Sequence, residues 1–421
     1  MQLLIRDARV VDPGSPHHGE IRDILIEAGK IRRIAPGLDA PGVQVFPYEG
    51  AWVSPGWMDV GAQVCDPGLE HREDLASAAA AAAAGGYTAI APFPNTVPAL
   101  SSKAEVAYLL SKSSGSPVAF FPIGSISENG AGKQIAELMD MAQAGAVAFS
   151  DGAHPVRHSG LMLRALQYVR SFGGLVINRP FDEELAFDGQ VHEGLVSLGL
   201  GFRGIPNLAE DMMVQRDLSL NGYAGSRLHI YGISSGRSVQ LIREAKAAGM
   251  HVTCSVPVLN IAFDDRALGD YDVNFKVLPP LRGAEDRQLL IEGVLDGTID
   301  LVVSNHVPLE TEQKLVEFPY AEFGAIGLET TFGLLNKSLS GILEVEALIH
   351  ILAFRPREVL GLPIPRVREG EKANLTVFDP ARTWKVDANT LCSKSRNTPL
   401  DGVELKGQVL GIVHNATAWW R

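Results

Sequence analysis

Apolar and polar residues alternate over the first fifty positions, in "LLIRDARVV", "DILIEAGKIRRIAP" and "VQVFPYEGAWV". A period of two predicts short strands with one buried and one wet face. Turn residues separate them at Asp12-Pro13-Gly14 and Ala28-Gly29-Lys30. From Pro55 the rhythm changes. Continuously apolar runs such as "TAIAPF", "PVAFFPIG", "GAVAFSD", "GLVIN", "LHIYGIS", "HVTCSV" and "LVVSN" alternate with helical stretches such as "EVAYLLSKSS", "QIAELMDMAQAG", "LMLRALQYVRSFG" and "SVQLIREAKAAG". This βαβα succession, over roughly three hundred residues, predicts a parallel (β/α) barrel whose strands end in polar or glycine-rich loops. Strand texture returns after about Leu360, in "ANLTVFDP", "TWKV" and "LKGQVLGIVHNATAWW". The expected class is α/β: a TIM-like (β/α)8 barrel over 55–360, beside a discontinuous β-domain built jointly by 1–54 and 361–421.

Composition narrows the partners. Of 421 residues, 46% are hydrophobic and 20% charged, as in an ordinary globular protein. A net charge of −12 argues against nucleic acid or an anionic lipid surface as partner. Cys65, Cys254 and Cys392 form no C-x-x-C pair, which disfavours a disulfide scaffold or a thiolate zinc site. The start, "MQLLIRDARVVDPGS", lacks a charged segment followed by a long apolar run, so no signal peptide is expected. The apolar run Ala76 to Ala84 is about half the length of a membrane span and reads as a helix packed closely on a sheet. A cytoplasmic protein is the expectation.

Specific blocks carry a resemblance. "SPGWMDV", then "DPGLEHREDLASAAAAAAAGGYTAIAPFPNTVP", "FSDGAHPV", "INRPFDEELAFDGQVHEG", "GISSGRSVQLIREAKAAGMHVTCSV", "NFKVLPPLRGAEDRQLLIEGVLDGTIDLVVSNHVPLETEQK", "GAIGLETTF" and "SRNTPLDGVELKGQV" occur in the order found in dihydroorotases of the bacterial multidomain-complex type. The chain is similar to these members of the amidohydrolase superfamily along nearly its whole length. The resemblance implies a (β/α)8 barrel with a small discontinuous β-sandwich domain, and a zinc centre built at barrel strand ends.

The positions that would build that centre have changed. Where the family has D-x-H-x-H, this chain has Asp59, Gly61 and Gln63; glycine offers no donor and an amide oxygen is a poor zinc ligand beside imidazole. Cys65 stands where the family's arginine grips the substrate carboxylate. "FSDG" lacks one aspartate of the family's F-[ST]-D-D-G turn and retains Asp151. Arg179 in "NRPFD" replaces a ligand histidine, and a guanidinium has no lone pair to give. Gly232 in "HIYGIS" falls on a second ligand histidine. Asn305 in "NHVPL" replaces the aspartate that takes a proton from water. On the substrate side, Asn95 in "PNT" and Asn274 in "VNFK" match family positions that contact the ring and carboxylate; their plainer role is to cap loops.

No other histidine set replaces the lost one. Regular alternation puts His229 and His306 on the face turned away from the barrel mouth. His154 and His158 flank Pro155 in a loop, and His71 and His192 read as surface or packing residues. For Arg179 the sharper expectation is that its charge stands in for the metal and pairs with Asp59 and Asp151. The resemblance therefore implies a pseudo-dihydroorotase without metal, a dimer, and a structural or regulatory partnership with aspartate carbamoyltransferase. The alternatives are an active cyclic-amide hydrolase with a relocated or absent metal, using Asp59, Asp151, His154 and Cys65, or a non-catalytic binder of a pyrimidine precursor.

Overall fold

The computed structural model describes residues 1–269 and 271–421. Parallel strands form a three-stranded and a six-stranded sheet that wrap one barrel. The strands, in barrel order, are Trp57–Val60, Tyr87–Ala91, Ala119–Phe120 continuing as Ile123–Gly124, Ala148–Phe149, Leu175–Asn178, Arg227–Ile230, Val252–Pro257 and Leu301–Val303. The third strand is broken at Phe121-Pro122 and belongs to both sheets, so the apolar runs read from sequence supply a (β/α)8 barrel.

Alternation sorts the strand residues into two cores. Met58, Val60, Ala89, Ala91, Ile177 and Val303 fill the barrel, while Trp57, Ile90, Val176, Leu228 and Val302 pack under the covering helices. No strand ladder joins the first and eighth strands among the described residues. That seam is closed instead by Asp59, whose carboxylate accepts from Ser304 N at 2.9 Å and Ser304 Oγ at 2.7 Å, and by Gln63 N donating to His306 O at 3.0 Å. The alanine run forms the helix Leu75–Ala84, started by an Asp74–Ser77 capping box. Its small side chains let it lie close to the barrel and to the outer sheet.

The two chain ends share an eight-stranded sheet in the order Thr417–Trp420, Glu404–His414, Asn374–Lys385, Trp52–Pro55, Gln2–Val10, Ile21–Glu27, Lys30–Ala35, with Gln44–Val45 also on Gln2–Val10. Antiparallel pairing from Leu375↔Pro55 to Phe378↔Trp52 joins the ends. Arg366 Nη1 on Asp12 Oδ1 at 2.9 Å locks them further. The expectation of a wet face fails on the first strand, where Leu3, Leu4 and Ile5 are all fully buried. The reason is that the sheet has its own core on one side, with Leu3, Ile5 and Val377, and meets the barrel on the other through Phe378, Leu405 and Ile412. Residues 391–398 leave this sheet and lie over the barrel loops. Cys392 N donates to Glu329 Oε1 at 2.8 Å, Ser395 Oγ to Arg72 O at 2.9 Å and Asn397 Nδ2 to Val307 O at 2.9 Å.

Candidate functional site

At the C-terminal end of the barrel the first and sixth strands end in glycines with left-handed backbone: Gly61 at φ +88° and Gly232 at φ +71°. Between them stands Tyr231, fully buried and packed edge-on against Phe93 with ring centroids 4.7 Å apart. A Cβ on Gly61 would meet Tyr231 Cε2 at 2.5 Å and its hydroxyl oxygen at 2.6 Å. The ring therefore takes the volume into which a side chain at 61 would project. Sequence reasoning did not single out Tyr231. The available signal was its size, one large aromatic beside Gly232, facing a strand end that carries Gly61.

Arg179, at the end of the fifth strand, lies over the Tyr231 ring at 5.7 Å and is 6% exposed. The expected pairing with Asp59 and Asp151 does not form: Arg179 has no carboxylate oxygen within 4.0 Å among the described residues. Its polar contacts are long, Nη2 to Asn305 Oδ1 at 3.3 Å and Nη1 to Leu278 O at 3.5 Å, and Nε has no acceptor. Burial pulls its pKa below the usual guanidinium value.

Both acids are satisfied elsewhere, which is the physical reason. Asp59 alternates with the inward Met58 and Val60 and is spent on Ser304 at the barrel seam. Loss of hydration pushes its carboxyl up to about 6, against the pull of the Ser304 hydrogen bonds and His306. Asp151 accepts from Ser125 Oγ at 2.7 Å, Ser127 N at 2.9 Å and Ser127 Oγ at 2.6 Å. Asp151 lines a small cleft beside the strand ends, but both of its carboxylate oxygens are taken by these serine contacts.

The residues expected on the substrate side are also committed or apart. Asn95 Nδ2 donates to Asp151 O at 3.1 Å and its Oδ1 accepts from Ala153 N at 2.8 Å, so it fastens the 151–153 turn. Asn274 lies in the short helix Val273–Phe275 and lines no cavity together with Asn95 among the described residues. Asn305, at φ +47°, ties its amide to Leu278 O at 3.2 Å and to Arg179. Cys65 is not a thiol at an open mouth. It is 2% exposed, and burial pushes its pKa up to about 12, so it stays protonated.

His229 requires a correction. It points into the barrel, in phase with Tyr231, and its ring nitrogens meet Thr253 Oγ1 at 2.9 Å and Ser255 Oγ at 3.1 Å. The left-handed turn at Gly232 ends the regular alternation, so counting three residues back from it gave the wrong face. Burial, with Lys246 adding to it, pulls the His229 pKa down to about 3, so the ring is neutral. His306 turns behind the eighth strand, accepting from Gly327 N at 3.2 Å through Nδ1 and placing Nε2 3.4 Å from Glu73. His71 pairs with Glu310 at 2.7 Å, and His192 lies 3.4 Å from Arg282. His154 and His158 are exposed loop residues.

These donors do not fit a zinc ion. Gly61 and Gly232 offer none, Arg179 repels a cation, and the Asn305 oxygen already accepts from Arg179. Among the described residues no group of three or more His, Cys, Asp or Glu is placed to hold a metal. Space near the strand ends lies to one side, in a cleft of about 210 Å³ lined by Asn95, Ser125, Asp151 and His154. It adjoins one of about 350 Å³ lined by Lys133, His154, Arg157 and His158. A larger cavity, about 590 Å³, opens at the opposite end, where Leu175, Arg227 and Val252 begin their strands. No helix is long and apolar enough to cross a membrane among the described residues.

Residues 50–238 match the family described as Dihydro-orotase-like. The protein named Dihydroorotase of Geobacter metallireducens is 40% identical over 410 residues, covering 97% of this chain and 96% of its own length. That of Pelotomaculum thermopropionicum is 41% identical over 409 residues, with 97% and 96% covered. Among solved structures, L-hydantoinase (dihydropyrimidinase) from Arthrobacter aurescens superposes with a TM-score of 0.85 at 24% identity, over 99% of this chain and 95% of that one. That likeness speaks for the fold alone. With such identity sustained from end to end, the chain belongs to the dihydroorotase-like family.

Proposed function

We propose that this chain is a non-hydrolysing member of its family, a dihydroorotase-like protein of the pyrimidine pathway that serves as a structural or regulatory subunit. The observation that carries this reading is the Tyr231 ring standing against Gly61, in the volume a ligand side chain would need. Hydrolysis of a cyclic amide needs an activated water and a group to take its proton. Asn305 cannot take that proton, and Asp59, Asp151 and Cys65 are buried in other contacts. The partner is the one implied by the sequence resemblance, aspartate carbamoyltransferase, joined by a homodimer of this chain through its outer surfaces.

The test is dihydroorotate turnover in both directions by the purified protein after incubation with zinc, with metal content measured on the same sample. The expected result is no rate above the enzyme-free control and no retained zinc. A protein-dependent rate overturns the reading. A second reading, a non-catalytic binder of a pyrimidine precursor, draws on the paired clefts around His154. Saturable binding of carbamoyl-aspartate or dihydroorotate without turnover selects it, and calorimetry reads this directly.

A further inference from the structure

Arg179 and Arg282 line one small cavity, together with Phe181, Glu210, Gly232 and Pro279. They are 6% and 2% exposed. Arg282 donates from Nε to Ser234 Oγ at 3.0 Å and from Nη1 to Ile205 O at 2.7 Å, but its Nη2 has no acceptor, with Glu210 3.7 Å away. Glu210 is itself engaged by Ser234 N at 2.8 Å and Ser235 N at 2.9 Å, and by the Ser234 hydroxyl. Arg179, which lines the same cavity, leaves its Nε without an acceptor.

The charges do not balance. Glu210 compensates Arg282, with Asp211 and Asp286 acting on it from further off. Arg179 has no carboxylate partner among the described residues. A buried guanidinium without a counter-charge costs several kcal/mol in general, and an unmet N–H adds to it. Two residues that line one cavity and each carry an unmet nitrogen call for a single acceptor carrying negative charge. The cavity volume is about 10 Å³. That is room for one water-sized particle, and too little for a carboxylate or phosphate.

We propose that the cavity between Arg179 and Arg282 binds one monoatomic anion of the size of chloride, which supplies the counter-charge Arg179 lacks. The ion would tie the end of the fifth strand to the 278–282 segment and to the helix Leu208–Ala224 that carries Glu210.

Crystals of the protein soaked in bromide test this by anomalous scattering. A bromide peak between the two guanidinium groups is expected; a neutral water there, with no anomalous signal, overturns the proposal. In solution the melting temperature is followed against sodium chloride and against sodium glutamate at equal ionic strength. Chloride should raise it along a saturating curve, and glutamate should not. Arg179→Met should weaken the halide response at least tenfold, and if that variant does not fold the wild-type curves and the bromide map decide alone. Equal curves for the two salts, or no saturation below about 0.1 M halide, overturn the proposal.

Discussion

The ring of Tyr231 and the missing side chain of Gly61 are complementary: a Cβ at 61 would lie 2.5 Å from Cε2 of the tyrosine. Gly61 also sits at φ +88°, a conformation that side chains other than glycine adopt at a cost. Gly61→His should therefore lower stability by about 3 kcal/mol and bind no zinc. Urea unfolding and metal analysis of the variant check both. Adding Tyr231→Ala should not create zinc binding, since Gly232 offers no donor and the buried Arg179 guanidinium repels a cation. A zinc-loaded single variant would show that the ring yields easily.

Asp59 makes a prediction about pH. Burial raises its carboxyl from 3.8 to about 6 in the folded protein. Between those values the folded state holds a proton that the unfolded chain has released, so the folded state binds more protons. Stability contributed by this group falls as pH rises through that window, by about 3 kcal/mol in all, and stays low above it. Asp59→Asn should flatten the stability profile between about pH 4 and pH 6 by that amount. Denaturant midpoints of both proteins across the window provide the check; parallel profiles would contradict it.

Glu73 is fully buried between His306, Ser77 and Ser393, and so links the first barrel loop to the returning C-terminal segment. Burial raises its pKa, but the His306 contact and the two hydroxyls outweigh this and leave it lowered. Its contribution is present above the ordinary carboxylate pKa and is lost as pH falls through the lowered value. Glu73→Gln should cost about 1–3 kcal/mol at neutral pH, since it gives the buried Ser77 and Ser393 hydroxyls and His306 Nε2 a weaker acceptor than the carboxylate. It should also make the 391–398 segment more open to hydrogen exchange.

Cys65 bears on the reading that keeps an active hydrolase. A buried thiol held near pKa 12 should react with a neutral disulfide reagent at pH 8 no faster than the global unfolding rate. Cys65→Ser should leave any carbamoyl-aspartate or dihydroorotate binding unchanged. Fast labelling, or loss of binding, would return this residue to the functional site.

Asn95 distinguishes a turn clamp from a ligand contact. Its two hydrogen bonds to the 151–153 turn predict that Asn95→Ala costs about 1–2 kcal/mol and loosens that turn. A large change in precursor affinity with unchanged stability would instead favour the substrate-side role.

Much of the fold was legible in the sequence, because it follows from local periodicity. Each apolar run from "TAIAPF" to "LVVSN" became a barrel strand, and the alanine run became the helix Leu75–Ala84. The donor chemistry at Gly61, Arg179, Gly232 and Asn305 was legible too, since it is fixed by each side chain's identity. The direction of His229 was not. Alternation holds only while the strand is regular, and the left-handed turn at Gly232 lay between the residue and its reference point.

The sequence by itself determined which atoms are available: no imidazole at 61 or 232, a permanent cation at 179, an amide at 305. Tertiary structure decided what those atoms face. It took Asp59 and Asp151 for serine hydrogen bonds, and it put the Tyr231 ring into the space beside Gly61. It also left one guanidinium nitrogen each of Arg179 and Arg282, two residues lining one cavity, unmet. Partners in a packed interior come from strands and loops far apart in the chain, so long-range contact, which no local pattern encodes, settles where each charge finds its counterpart.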